Sequence, residues 1–172
     1  MTLDDQLLRL ASAVLAGTVL GLNRKVGGKA AGMRTHALVS LGAAVSVLAA
    51  DLLVQGTSGG DRSAATRVMQ GVISGIGFLG AGAIIKGGER GMVKGLTTAS
   101  SIWLAAAVGL ASGAGFWETS LLATALGLVV LIAGRYVERA TKHLLVPELT
   151  EEERRMVADR RAQSASREDP AT

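Results

Sequence analysis

The sequence predicts an all-α integral membrane protein, a bundle of about five transmembrane helices with the N-terminus outside and the C-terminus in the cytoplasm. Three observations lead there. The 172 residues are 49% hydrophobic but only 3% aromatic, so Ala, Leu, Val and Gly supply the apolar surface. The charges gather in short clusters and leave long stretches almost free of them, as a bilayer demands of spans of about 20 residues. Lys and Arg concentrate after the first, third and fifth of these stretches, the alternation that positive-inside topology produces.

The spans are expected at about 3–22, 36–54, 68–85, 96–113 and 117–134. In the first, the apolar core is Leu10 to Leu22, and Arg9 is expected to reach outward to the headgroups. A basic loop with Arg24, Lys25, Lys29 and Arg34 follows. The second span carries one acid, Asp51, near its far end, before a polar loop with Asp61 and Arg62. The third has no charged residue and leads into a tight loop of Lys86, Glu89, Arg90 and Lys94 among glycines, where Glu89 is expected to pair with Arg90 or Lys94. Trp117 and Tyr136 flank the fifth at positions suited to interfacial aromatics. Residues 1–146 thus form the membrane domain. Residues 147–172 form a charged cytoplasmic tail, a short helix opened by a Thr150 and Glu153 capping box and then a disordered end.

Glycine is abundant at 23 residues, and in membrane helices small residues permit close packing. Thr97, Ser101, Ala105, Gly109 and Gly113 repeat at four-residue intervals on one face of the fourth span. Gly17 with Gly21 and Gly71 with Gly75 do the same in the first and third. Packing is the plainer reading of these faces, and a polar pathway the sharper one. Gly75 and Gly109 are both expected at helix contacts.

The residues exclude several kinds of chemistry. Without cysteine there are no disulfides, thiolate metal sites or cysteine nucleophiles. Gly75, Gly77 and Gly80 match G-x-G-x-x-G, but inside an uncharged apolar stretch with no preceding strand, so a dinucleotide site is rejected. His36 and His143 lie far apart and fit no metal-ligand spacing, and no nucleophile with a base can be assembled. No catalytic residue and no cofactor is assigned, and the protein reads as a non-enzyme. Asp51 and Asp61 remain as candidate cation or pathway residues, because an acid within a span is a functional hypothesis by default. The positive charge sits beside hydrophobic segments, which argues for a lipid bilayer as partner and against nucleic acid.

Three motifs carry a resemblance. Gly32-Met33-Arg34-Thr35-His36-Ala37-Leu38-Val39 with Leu41-Gly42-Ala43-Ala44, Ser74-Gly75-Ile76-Gly77-Phe78-Leu79-Gly80-Ala81-Gly82, and Lys94-Gly95-Leu96-Thr97-Thr98-Ala99 with Trp103 occur in the order and spacing of the MgtC/SapB membrane family. The chain resembles that family over about residues 5–142, as a short form lacking the soluble C-terminal domain of many members. The resemblance implies a bacterial inner-membrane protein of magnesium or ion homeostasis and adaptation to low magnesium. It would act by regulating another membrane complex, with homo-oligomerisation an open possibility, or alternatively as a small Mg2+ transporter or channel-like protein. It singles out Arg34, Thr35, Gly75, Gly77, Gly80, Gly82, Gly95, Thr98 and Trp103. Two departures stand out: Thr97 where many members have Asn, and Asn23 where an acid commonly precedes Arg24.

Overall fold

A long apolar run has one low-energy conformation in lipid, the helix, because it alone satisfies every backbone N–H and C=O within the segment. The computed structural model accordingly has five helices: α1 (Leu3–Val26), α2 (Met33–Gln55), α3 (Ser63–Gly82), α4 (Leu96–Gly113) and α5 (Trp117–Leu145). It describes residues 1–26, 31–55, 63–86 and 93–145, with Met156 and Asp159. Four of the helices, α1, α2, α4 and α5, are long and apolar enough to cross a membrane. The fifth, α3, is 20 residues long but carries five glycines and Arg67 and Gln70 near its start, and it falls outside that group. Residues 1–131 make one compact unit and residues 132–172 a second. The charged tail expected over 147–172, with its capping box, lies outside the described residues apart from Met156 and Asp159, as do Glu89 and its expected pairing.

Helix boundaries move outward from the apolar cores, since polar residues at the ends still continue the backbone ladder. Thus α1 runs on to Val26 and α5 to Leu145. For α3 the shift is different. It begins at Ser63 and stops at Gly82, three residues before the expected end, where the Ala83 N–H donates to the Leu79 and Gly80 carbonyls and the Ile84 N–H to Ala81. The chain then forms a small hairpin that the sequence pattern did not reveal: β1 (Ile85–Lys86) pairs antiparallel with β2 (Val93–Lys94), Ile85 opposite Lys94. Two-residue strands are too short to leave a period in the sequence.

Within the first unit α1 packs on α2 and α4, α2 on α4 and α3, and α3 on α4. The core between α2, α3 and α4 is formed by Ala43, Val47, Ile76, Ile102, Ala106 and Leu110. A second cluster joins Ala16 and Leu20 of α1 to Ala105 and Val108 of α4, with Ala123, Leu128 and Leu131 of α5 against it.

The tightest contacts are made by glycines. A Cβ placed on Gly17 would lie 2.5 Å from the His36 carbonyl and 2.8 Å from Ser40 Cβ, and one on Gly21 would lie 2.6 Å from Met33 Cα. From the other neighbour, a Cβ on Gly109 would strike the backbone of Ser40, and one on Gly113 the backbone of Ala44. Helix α2 therefore lies with its backbone directly against α1 and α4. The expected four-residue faces at Gly17 with Gly21, and at Ser101, Ala105, Gly109 and Gly113, are at contacts, whereas Thr97 on the same stripe is exposed. The expectation for α3 fails. A Cβ at Gly71 or Gly75 would meet nothing within 4 Å, because α3 packs through Ile76, Val72 and Met69 instead.

A sterically decided ranking of variants follows. Gly17→Leu and Gly109→Leu should each lower folded protein sharply, by at least the ~1–3 kcal/mol typical of overpacking, while Gly75→Leu should accumulate at the wild-type level. Membrane-fraction yield and reversible unfolding in mixed micelles check this order.

Candidate functional site

The same close approach of α1, α2 and α4 buries a set of polar side chains, of which the sequence singled out only Thr98 as a site residue. At the end of the bundle next to the first basic loop, Arg24 of α1 is only 5% exposed, and its Nη2 donates to Thr98 Oγ1 of α4 at 2.6 Å. Ser101 lies one turn further along α4, its Oγ 2.8 Å from the Thr98 carbonyl and 3.0 Å from His36 Nε2. The other ring nitrogen, Nδ1, is 2.8 Å from the Gly32 carbonyl. A further turn into α2, the buried Ser40 donates to the Ala13 carbonyl of α1 at 2.8 Å. In a low-dielectric interior such bonds are strong when made and costly when missing, so the chain Arg24–Thr98–Ser101–His36 fixes the relative positions of three helices.

At the opposite end Arg9 does the corresponding job. Rather than extending to headgroups, its guanidinium bonds the Asp5 carboxylate at 3.1 Å, Asp51 of α2 at 3.3 Å and the Gly113 carbonyl of α4 at 3.0 Å. Three acceptors from three helix ends converge on one planar donor, a geometry to which Arg is suited and Lys is not. Gly115, with φ +92°, leaves room for it: a Cβ there would come within 3.1 Å of the guanidinium carbon. Asp51, a candidate cation or pathway residue, is thus held in an ion pair. Asp61 lies outside the described residues. Among the described residues no group of three or more His, Asp or Glu side chains could hold a metal ion.

The signature residues divide by what they touch. Gly95 has φ +95°, and a Cβ on it would run into the Ala83 carbonyl, so glycine is required where the hairpin enters α4. Thr98 is buried and receives Arg24. Arg34 and Thr35 are exposed at the first turn of α2. Gly75, Gly77 and Gly82 adjoin open space, and Gly80 meets only the Ala99 methyl at 3.8 Å. Trp103, half exposed, borders a groove of about 470 Å³ between α3 and α4 that is also lined by Ile76, Gly77, Gly80, Ala81 and Ser100. The glycine signature of α3 therefore forms an outward surface, with Phe78 85% exposed on it.

Compared with known proteins, residues 10–140 match the MgtC family. The chain belongs to that family. Among its relatives, Protein SrpB of Synechococcus elongatus is 42% identical over 137 residues, 76% of this chain and 75% of SrpB. The putative magnesium transporter YhiD of Escherichia coli K12 is 36% identical over 130 residues, 73% of this chain and 58% of YhiD. Protein MgtC of Salmonella typhi is 34% identical over 158 residues, 91% of this chain and 63% of that protein. The chain thus spans less than two thirds of YhiD and of MgtC. No solved structure matches it. Family membership and the four apolar helices make this a multi-pass bacterial membrane protein.

Of the MgtC-family residues, the sequence pointed to Thr98 but passed over Arg24, which donates to it, and His36, which joins the same network through Ser101. Arg24 read as a topological charge and His36 as a histidine without a ligand set. The usable signal was positional: Arg24, His36 and Thr98 all lie within a turn or so of helix ends that meet at one level. Arg24→Ala should cost about 1–3 kcal/mol, the range for removing a charged hydrogen-bond partner from a buried group. Arg34→Ala, at an exposed position, should stay within about 0.5 kcal/mol. Unfolding midpoints of the two variants in the same micelles test the difference.

Proposed function

We propose that this MgtC-family protein is a non-enzymatic regulator in the bacterial inner membrane, with its N-terminus outside, that contributes to magnesium or ion homeostasis by binding another membrane complex. One observation carries the reading: a helix rich in glycine turns its small-residue face away from its own bundle. In lipid, a Gly- and Ser-lined helix surface favours another helix over acyl chains, because close backbone approach replaces loose chain contacts. Gly71, Ser74, Gly75 and Phe78 of α3 are all exposed, and the groove beside Trp103 continues that surface. The interior gives less support to transport. Where α1, α2 and α4 meet, glycines bring backbones together, and the polar side chains there bond one another.

The alternative, a small ion transporter, is favoured by the likeness to YhiD, a putative magnesium transporter. The two readings separate in one pair of measurements. On the regulatory reading, Gly75→Leu is folded and abundant yet fails to restore growth in low magnesium, and purified protein in liposomes gives no Mg2+ flux. Protein-dependent Mg2+ flux in those liposomes, together with full complementation by Gly75→Leu, would overturn it.

A further inference from the structure

His36 is fully buried in the first turn of α2, and its surroundings count protons. A carbonyl only accepts, so the 2.8 Å contact from Nδ1 to the Gly32 oxygen requires a proton on Nδ1. The other nitrogen is 3.0 Å from Ser101 Oγ, and that oxygen is also 2.8 Å from the Thr98 carbonyl. Ser101 has one hydroxyl proton and two acceptors for it. With His36 neutral, the proton points to Nε2. With a second proton on the ring, Nε2–H donates to Ser101, and the hydroxyl turns to the Thr98 carbonyl. Both arrangements satisfy the two ring nitrogens and the Ser101 hydroxyl. They differ by one positive charge.

That charge falls near another. The Arg24 guanidinium is held by Thr98 Oγ1, on the same residue whose carbonyl faces the Ser101 hydroxyl that meets the ring, and it joins α1 to the first turns of α4. Among the described residues, α4 places Ser101 against the ring and Thr98 one turn before it, neither of them titratable in this range, and α1 contributes Arg24 through its bond to Thr98. On α2 itself, Arg34 is exposed two residues away, on the other side of the helix. The described carboxylates of this unit, Asp4, Asp5, Asp51 and Glu118, belong to the opposite ends of their helices. Asp51 is about 22 Å further along α2 at the ordinary helical rise. No described counter-ion offsets an imidazolium here, and like charges repel strongly away from water.

We propose that His36 is a proton-operated switch on the junction of α1 and α4: the neutral ring leaves Arg24 locked onto Thr98, and the imidazolium drives Arg24 off it. Ser101 is the positioning residue that accommodates both states.

The test uses the full chain in nanodiscs with His143→Gln, which leaves one histidine, and with 15N-labelled imidazole. The chain has no cysteine, so spin labels can be placed at the exposed positions Leu22 and Thr97 by single Cys replacements. The pH is lowered from about 8 to about 4, through and below the interval over which histidine ordinarily changes charge. The expected result is a neutral ring protonated on Nδ1 at high pH, Nε2 gaining a proton on acidification, and the distance between the labels lengthening with the same midpoint. In His36→Gln the distance should no longer respond. Should that variant accumulate poorly, Thr98→Val keeps the ring but removes the hydroxyl to which Arg24 Nη2 donates, and its distance should also be insensitive to pH. A ring that stays in one protonation state, a neutral ring protonated on Nε2, or a pH response that survives either substitution would overturn the proposal.

Discussion

Helix α2 lies where it does because Gly17 and Gly21 of α1 and Gly109 and Gly113 of α4 let two neighbours touch its backbone at Met33, His36, Ser40 and Ala44. Glycine inside a helix carries a cost of about 1 kcal/mol relative to Ala in water, and a chain that retains it at such positions gains something from the missing side chain. Here the gain is distance. Side chains no larger than Ser then suffice to bridge the helices, and van der Waals contact between backbones replaces the hydrophobic effect, which is weak between helices already in lipid.

The buried polar groups follow from that geometry. At ordinary helix separation Ser40 could not reach the Ala13 carbonyl, nor Ser101 lie within hydrogen-bonding distance of both His36 and Thr98. Close packing brings them together and excludes lipid and water from the level where they meet. It also leaves some groups unsatisfied: the Ser112 and Ser120 hydroxyls are buried without a hydrogen-bond partner among the described residues. Two arginines close the ends of the same three-helix contact, Arg24 on Thr98 and Arg9 on Asp51 and the Gly113 carbonyl. Helix α3 of this chain stands in contrast. There the glycines permit an approach that no helix of the described chain makes.

Much of the fold was legible because lipid imposes a simple rule on sequence: long uncharged runs become helices. The five helices could be found from charge spacing, and the Gly17–Gly21 and Ser101–Gly113 faces from their four-residue repeats. Those repeats carry no sign of whether the partner lies within the chain, so Gly75 was expected at a contact that it does not make. Arg24 and His36 were missed for a related reason. A basic residue at a helix end looks the same in sequence whether it faces headgroups or a buried threonine, and only the crossing of α1 with α4 decides. Gly95 was marked by its motif alone. Its need for a left-handed backbone comes from the hairpin before it, which is too short to read.

The central claim is that α1 and α4 grip α2 through one shared level at Ser40, met by Gly17 from one side and Gly109 from another. A double-mutant cycle of Gly17→Ala and Gly109→Ala, followed by reversible unfolding in mixed micelles, tests it directly. Each methyl must displace the same turn of α2, so the loss in the double variant should differ from the sum of the two single losses by more than about 0.5 kcal/mol, the usual mark of coupled sites. Additive losses would mean that the two glycines act on separate contacts, and would contradict the account.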